Sequence, residues 1–179
     1  MNRIVAWGVT ISVILLSGCV FKSYYPVAEF DLPAVKVDSP AFAMHIMEFR
    51  NNSISGSRFQ ARDASGQVFS DPYNKWVLPP EQLIARTLNL TLQHPERKSE
   101  TRIPITGELD IFNVESATKT FRFAGSWSPT YTKREYQFDF SVPLKGDSPL
   151  ALVEAAREAV GKLAQQLSSW SHTERKEKK

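Results

Sequence analysis

The residues able to do chemistry are few. The chain of 179 residues holds one cysteine and three histidines. His45, His94 and His172 stand far apart, and none has a partner at the short spacings that metal sites use. No G-x-S-x-G elbow, H-E-x-x-H pair or phosphate-binding glycine loop is present. Glu108 and Asp110 form the carboxylate pair of interest. Two residues apart on a strand, they would sit about 7 Å from each other on one face, a separation that suits glycoside hydrolysis. Around them, however, Thr106, Glu108 and Asp110 alternate with Ile105, Leu109 and Ile111. A solvated strand face already explains that pattern. Ser126 and Ser141 fall on polar faces in the same way, without a base nearby in sequence. The pattern names no catalytic residue and no metal, and it points to a chain that is not an enzyme.

Cys19 stands apart because of its surroundings. Arg3 gives the N-terminus a positive charge, Ile4 to Leu16 is almost wholly apolar, and Ser17 and Gly18 are small. That is the order of a secretory signal. The run is well short of the roughly 20 apolar residues that a spanning helix requires. Leu16-Ser17-Gly18-Cys19 resembles the bacterial lipobox. The resemblance implies a signal peptide over residues 1–18, with Leu16, Ser17 and Gly18 read by the signal peptidase. It further implies a diacylglyceryl thioether on Cys19 and acylation of the new amino group, so the expected prosthetic group is a covalent lipid alone. Two or more acyl chains hold a protein to a bilayer where one chain holds it only marginally. Val20 follows the cysteine, whereas the inner-membrane retention signal of enteric bacteria has aspartate there. The expected location is therefore the periplasmic side of the outer membrane.

The rest of the chain must position itself from that anchor. The formal charge is +3. Arg3 belongs to the signal, and the tail Glu174–Lys179 is net basic, so residues 19–172 are neutral. No basic footprint for nucleic acid is present. With one cysteine no internal disulfide can form, and packing must hold the body together. Residues 19–40 carry Pro26, Pro33 and Pro40 and read as a lipidated, proline-rich tether that ends at most in an edge strand. Phe42 to Phe49 shows no clean alternation and suits a strand buried on both faces, with a short helix left open. Arg58–Arg62, the turn Asp63-Ala64-Ser65-Gly66 and Gln67–Phe69 read as a hairpin, which Asp71-Pro72 breaks.

Pro79-Pro80-Glu81 opens a helix whose face is Leu83, Ile84, Leu88 and Leu92. Three alternating segments follow. They carry Ile103, Ile105, Leu109 and Ile111, then Phe121, Phe123 and Trp127, then Tyr136, Phe138, Phe140 and Val142 on their apolar faces. Period 2 with one wet face is an antiparallel meander. Asp147-Ser148-Pro149 starts a last helix with Val153, Ala156, Val160, Leu163, Leu167 and Trp170 on one stripe. Within it, Gly161 marks a close approach. The expected fold is α+β: a single domain over residues 41–172, mainly antiparallel sheet (hairpin plus three-strand meander), with two helices packed on it. Residues 173–179 read as a charged, disordered tail.

Several aromatic residues lie near element ends, where they form either the rim of a core or the anchors of an interface. Tyr24, Tyr25, Trp76 and Trp170, with Arg62 from the hairpin, are the candidate interface residues. Tyr24-Tyr25 after the cysteine, Arg58-Phe59-Gln60-Ala61-Arg62, Trp76-Val77-Leu78-Pro79-Pro80 before a helix, Leu109-Asp110-Ile111-Phe112, and a last helix closing on Trp170 recur in one order in a known family. In these motifs the chain resembles the ABC-type transport auxiliary lipoproteins, the paraquat-inducible protein C (PqiC)-like group. It departs from them at Pro26-Val27 and in the loop Asn51 to Gly56. The resemblance implies an MCE-domain partner, an ABC permease and ATPase system, a homo-oligomeric ring, and lipid movement between two membranes. The alternatives are a carrier with its own acyl-chain cavity and, last, an envelope hydrolase using Glu108 and Asp110.

Overall fold

In chain order the elements are β1 (Ala28–Phe30), β2 (Met44–Asn51), β3 (Arg58–Arg62), β4 (Val68–Trp76), α1 (Pro80–Leu92), β5 (Ile103–Glu115), β6 (Thr120–Pro129), β7 (Tyr136–Pro143) and α2 (Pro149–Glu177). They are seen in a computed structural model that describes residues 26–53, 56–93, 102–132 and 134–177. The strands make one seven-stranded sheet in the order β1-β4-β3-β5-β6-β7, with β2 also paired to β5. The long ladders, β5–β6 and β6–β7, are antiparallel as expected. The β1–β4, β2–β5 and β3–β5 ladders are parallel, so the sheet is mixed. It remains an α+β domain with two helices on one face among the described residues.

Both helices begin where their prolines place them. In α1 the Pro79 carbonyl accepts bonds from Gln82 N and Leu83 N, at 3.1 and 2.9 Å, and Leu83, Ile84, Leu88 and Leu92 are buried. In α2 Ser148 Oγ accepts a bond from Ala151 N (3.2 Å), which satisfies one of the first-turn donors. The stripe from Ala156 to Trp170 is buried, and Ala155, Ala159 and Ala164 widen it with small side chains that let the helix lie close to the sheet. The helix does not stop at 172. It continues to Glu177, and Arg175 Nη1 donates to the Ala41 carbonyl (3.3 Å). Most of the expected disordered tail is thus helix, in contact with Ala41 just ahead of β2.

Two β-bulges reset the side-chain alternation. In β5 the register slips between Leu109 and Ile111. Ile105 and Leu109 face the core as expected, but beyond the bulge Phe112 is buried and Ile111 only half-buried. In β2 the slip falls at Met47, between Ile46 and Glu48. Met44, Ile46 and Phe49 are buried, while His45, Glu48 and Arg50 are exposed. This strand is therefore one-sided, not buried on both faces. A bulge adds one residue to a period-2 pattern and so reverses the facing of everything after it. The free edge of β2 is covered by a side chain: Asn89 of α1 accepts from Ile46 N (2.9 Å) and donates to Ile46 O (2.8 Å), as a neighbouring strand would.

The hairpin turn is built on Asp63, whose Oδ1 accepts from Ser65 N and Gln67 N, both at 2.9 Å. Gly66 supplies the positive φ of +88° that closes it. Asp71-Pro72 does not end β4 as expected. The strand bulges there, with Asp71 Oδ1 accepting from Tyr73 N and Asn74 N at 2.7 and 3.1 Å. Pairing with β3 resumes at Lys75, opposite Arg58. Proline is tolerated because a bulge demands no ladder donor from it.

The largest departure concerns residues 26–40. The stretch is extended but it is not a tether, since it forms part of the body. β1 pairs with β4, and Leu32 is 1% exposed. The remainder runs as a strap across both helices. Thr87 Oγ1 donates to Leu32 O (3.0 Å), and Thr91 Oγ1 accepts from Val35 N (3.0 Å). Ser168 Oγ donates to Asp38 O (2.8 Å), and Ser171 Oγ accepts from Ala41 N (2.7 Å). Arg86 and Asp31 form an ion pair. At Gly161 an added Cβ would lie 3.0 Å from Val35 Cγ1, which is the close approach expected at that glycine. Prolines deny the strap a ladder of its own, so helix hydroxyls satisfy its backbone instead.

Candidate functional site

Leu16, Ser17, Gly18, Cys19, Tyr24 and Tyr25 lie outside the described residues, as does His94. Of the remaining interface candidates, two belong to the core. Trp76 is 2% exposed, with its ring 4.4 Å from Phe59 and 5.6 Å from Phe112. Trp170 is buried against Trp127 and Phe42, and its Nε1 donates to Tyr136 Oη (3.1 Å). Both side chains point to the helix-covered side of the sheet, where no partner reaches them, so the interface expectation is corrected at these two positions. Arg62 lies on the uncovered face, half-buried beside its register partner Glu115.

Glu108 and Asp110 are exposed and do not share a cleft. Glu108 lines a polar depression with Glu48, Arg50 and Glu135. Asp110 borders a separate shallow site with Ile111 and Arg122. Asn52 Nδ2 bridges the two carboxylates, at 3.1 and 3.2 Å, while Asn52 N donates to Leu109 O (2.8 Å). Their role in the fold is to fasten the loop that leaves β2. His45 is exposed, and the His172 ring bonds to the Ser39 carbonyl (3.1 Å). Among the described residues no three His, Cys, Asp or Glu side chains converge as metal ligands. No described helix is long and apolar enough to cross a membrane.

On the uncovered face, Arg122 and Asp139 pair through two bonds, Nε to Oδ1 at 3.0 Å and Nη2 to Oδ2 at 2.7 Å. The hydrogen bond from Arg122 holds the Asp139 carboxyl below the usual carboxylate value against the opposing effect of burial. The same bond raises Arg122, with a smaller contribution from the charge of Glu115. Arg62, Glu115, Arg122 and Asp139 line one shallow site, a row of alternating charge across β3, β5, β6 and β7. Half-exposed pairs of this kind contribute at most about 1 kcal/mol each.

A groove of about 510 Å³ lies at the other side of the hairpin. Phe59 and Ala61 of β3, Val114 at the end of β5, Leu144, and Pro149 and Leu152 of α2 line it, together with Asp71 and Asn74 of the β4 bulge. Around it stand three exposed apolar side chains: Phe69 (49%), Tyr73 (52%) and Leu150 (64%). Phe69 is the register partner of Ala61. This feature was not legible from sequence, because it depends on where the N-terminus of α2 meets the hairpin.

No family model and no curated protein sequence matches the chain. Solved structures do match it in shape, among them the two that follow. One is the crystal structure of a protein described as uncharacterized, with a TM-score of 0.65 at 10% identity, covering 80% of this chain and 97% of that one. The other is protein XCC0632 from Xanthomonas campestris, of the family model DUF330, with a TM-score of 0.64 at 12% identity, covering 84% of this chain and 99% of that one. At such identities the likeness extends to the fold: the chain has the same α+β architecture as these two proteins over nearly their whole length.

Proposed function

We propose that the chain is a lipid-anchored, periplasm-facing subunit of an MCE/ABC-type lipid-transport assembly, and that it docks that assembly at the outer membrane. In this reading it is not an enzyme, Cys19 carries the lipid, and an MCE-domain protein is its direct partner. The observation that carries the reading is the order of Leu16-Ser17-Gly18-Cys19 behind a short apolar run. The folded strap supports it: the body begins by residue 28, only nine residues beyond the thiol, which places it close to any membrane that holds the anchor. The test is in two steps. Labelled palmitate should enter the full chain and not the Cys19→Ala variant. Crosslinking of the anchored protein should then recover an MCE-domain protein, and repeated crosslinked samples without one would overturn the assignment.

The groove beside the hairpin favours a second reading, a carrier that holds part of an acyl chain itself. Its walls are largely apolar, with Asp71 and Asn74 of the β4 bulge among its lining. Native mass spectrometry of the full chain would show a retained lipid in that case, and a lipid-free spectrum would remove it.

A further inference from the structure

The place where the folded body begins restricts which way the molecule can turn on its anchor. Pro26, the first described residue, lies seven positions beyond Cys19. Fully extended, that link spans at most about 25 Å. A domain of this size has a radius of gyration near 15 Å and is thus roughly 40 Å across. The link is shorter than the body is wide, so the side from which the chain leaves is the side held nearest the bilayer.

The exit side is set by the β1 register. Ala28 lies opposite Asn74 in parallel pairing, so the preceding chain points toward Tyr73 and the β4 bulge. The same end of the molecule holds the apolar groove and the exposed Phe69, Tyr73 and Leu150. Resting on the anchored reading above, we propose that this end is a membrane-contact surface, with Tyr73, Phe69 and Leu150 seated at the boundary between headgroups and acyl chains. Aromatic side chains with one polar end are suited to that depth. The reach of the link selects a lipid surface as the occupant of the patch, because a bilayer is the one partner held there covalently. The groove then lies at the membrane-facing end of the body.

The test uses the full lipidated protein in vesicles of phosphatidylethanolamine and phosphatidylglycerol. Tyr73→Cys and Leu150→Cys each carry an environment-sensitive fluorophore. Met47→Cys is the control, exposed to 56% at the opposite end of β5, roughly 25 Å from Val114 along the strand. In a lipidated chain the Cys19 sulfur is a thioether, so the introduced thiol alone should react. Doxyl-labelled lipids should quench the probes at 73 and 150 severalfold more than the probe at 47. Equal quenching at all three positions overturns the proposal. So does protection of 73 and 150 from aqueous iodide without quenching by doxyl lipid, which would mean that protein covers them. A parent chain that reacts with the dye at Cys19 and fails to float with vesicles overturns the anchored reading, and this proposal with it. A parent that floats and does not react isolates a failure of the orientation alone.

Discussion

Leu32 separates a tether from a strap. Its side chain is 1% exposed, although it lies in a proline-rich stretch outside every helix and strand. Leu32→Ala leaves the Thr87 bond to the Leu32 carbonyl in place and removes only apolar volume from the core. A buried leucine truncated in this way costs about 2–5 kcal/mol, the lost transfer energy plus the cavity left behind. For a domain of this length each kcal/mol lowers Tm by roughly 2–4 °C. A central loss of about 3 kcal/mol therefore predicts a fall of roughly 6–12 °C. If residues 26–40 were a free tether, the same change would stay within about 0.5 kcal/mol. Differential scanning calorimetry on parent and variant separates the two outcomes, with Leu90→Ala, half-exposed on α1, as the comparison. A Leu32→Ala protein that melts within a degree or so of the parent would refute the argument that the strap completes the core.

Gly125→Ala should be harsher than its size suggests, because the new Cβ would lie 2.0 Å from the Glu108 carbonyl oxygen. The backbone must move, and an unfolding free energy lowered by about 1–3 kcal/mol or more is expected from urea titration. Asp139→Asn should cost no more than about 1 kcal/mol at neutral pH, since the pair with Arg122 is half-exposed. Its signature lies in acid: the folded-state pKa of Asp139 is depressed, so its stabilisation is present above the unfolded value near 4 and is lost as pH falls from there through the lower folded value. The variant should therefore show a shallower loss of stability below about pH 4 than the parent in urea titrations, and an unchanged acid limb would count against the pairing. Palmitate labelling of the Cys19→Ala variant completes the set, with no incorporation expected.

The helices and the meander were legible in the sequence, for a physical reason. Leu83, Ile84, Leu88 and Leu92, and the stripe from Val153 to Trp170, repeat at the period of a helix that buries one face. Phe121, Phe123 and Trp127 repeat at the period of a strand that does the same. Bulges hid the rest. One extra residue at Met47 made β2 look buried on both sides, and one at Asp110 exchanged Ile111 for Phe112 in the core. Parallel pairing of β1 with β4 and β2 with β5 has no short-range signature at all. The strap was the hardest case. A proline-rich extended segment reads the same whether it hangs in water or lies across two helices, because the hydroxyls that hold it, on Thr87, Thr91, Ser168 and Ser171, are far away in sequence. Trp76 and Trp170 failed as interface residues in a similar way. A tryptophan near the end of an element packs inward or outward according to neighbours that only the tertiary fold supplies.

The bonds between the strap and α2 also impose an order of events on a chain made from its N-terminus. Ala41 meets Ser171 across 130 positions of sequence, and Arg175 reaches back across 134. Thr87 of α1 can meet the Leu32 carbonyl early, but until the final turns of α2 have been synthesised the Asp38 carbonyl lacks its donor Ser168 and Ala41 N lacks its acceptor Ser171. Closures of such long separation are slow, since chain entropy must be surrendered before the contacts return anything. The nascent chain thus passes through a period in which the meander can assemble locally while its first segment stays exposed, and exposed apolar segments invite aggregation. On the anchored reading proposed above, a chain exported before it folds would gain from that delay: its strap would stay unlatched until its last helix had arrived.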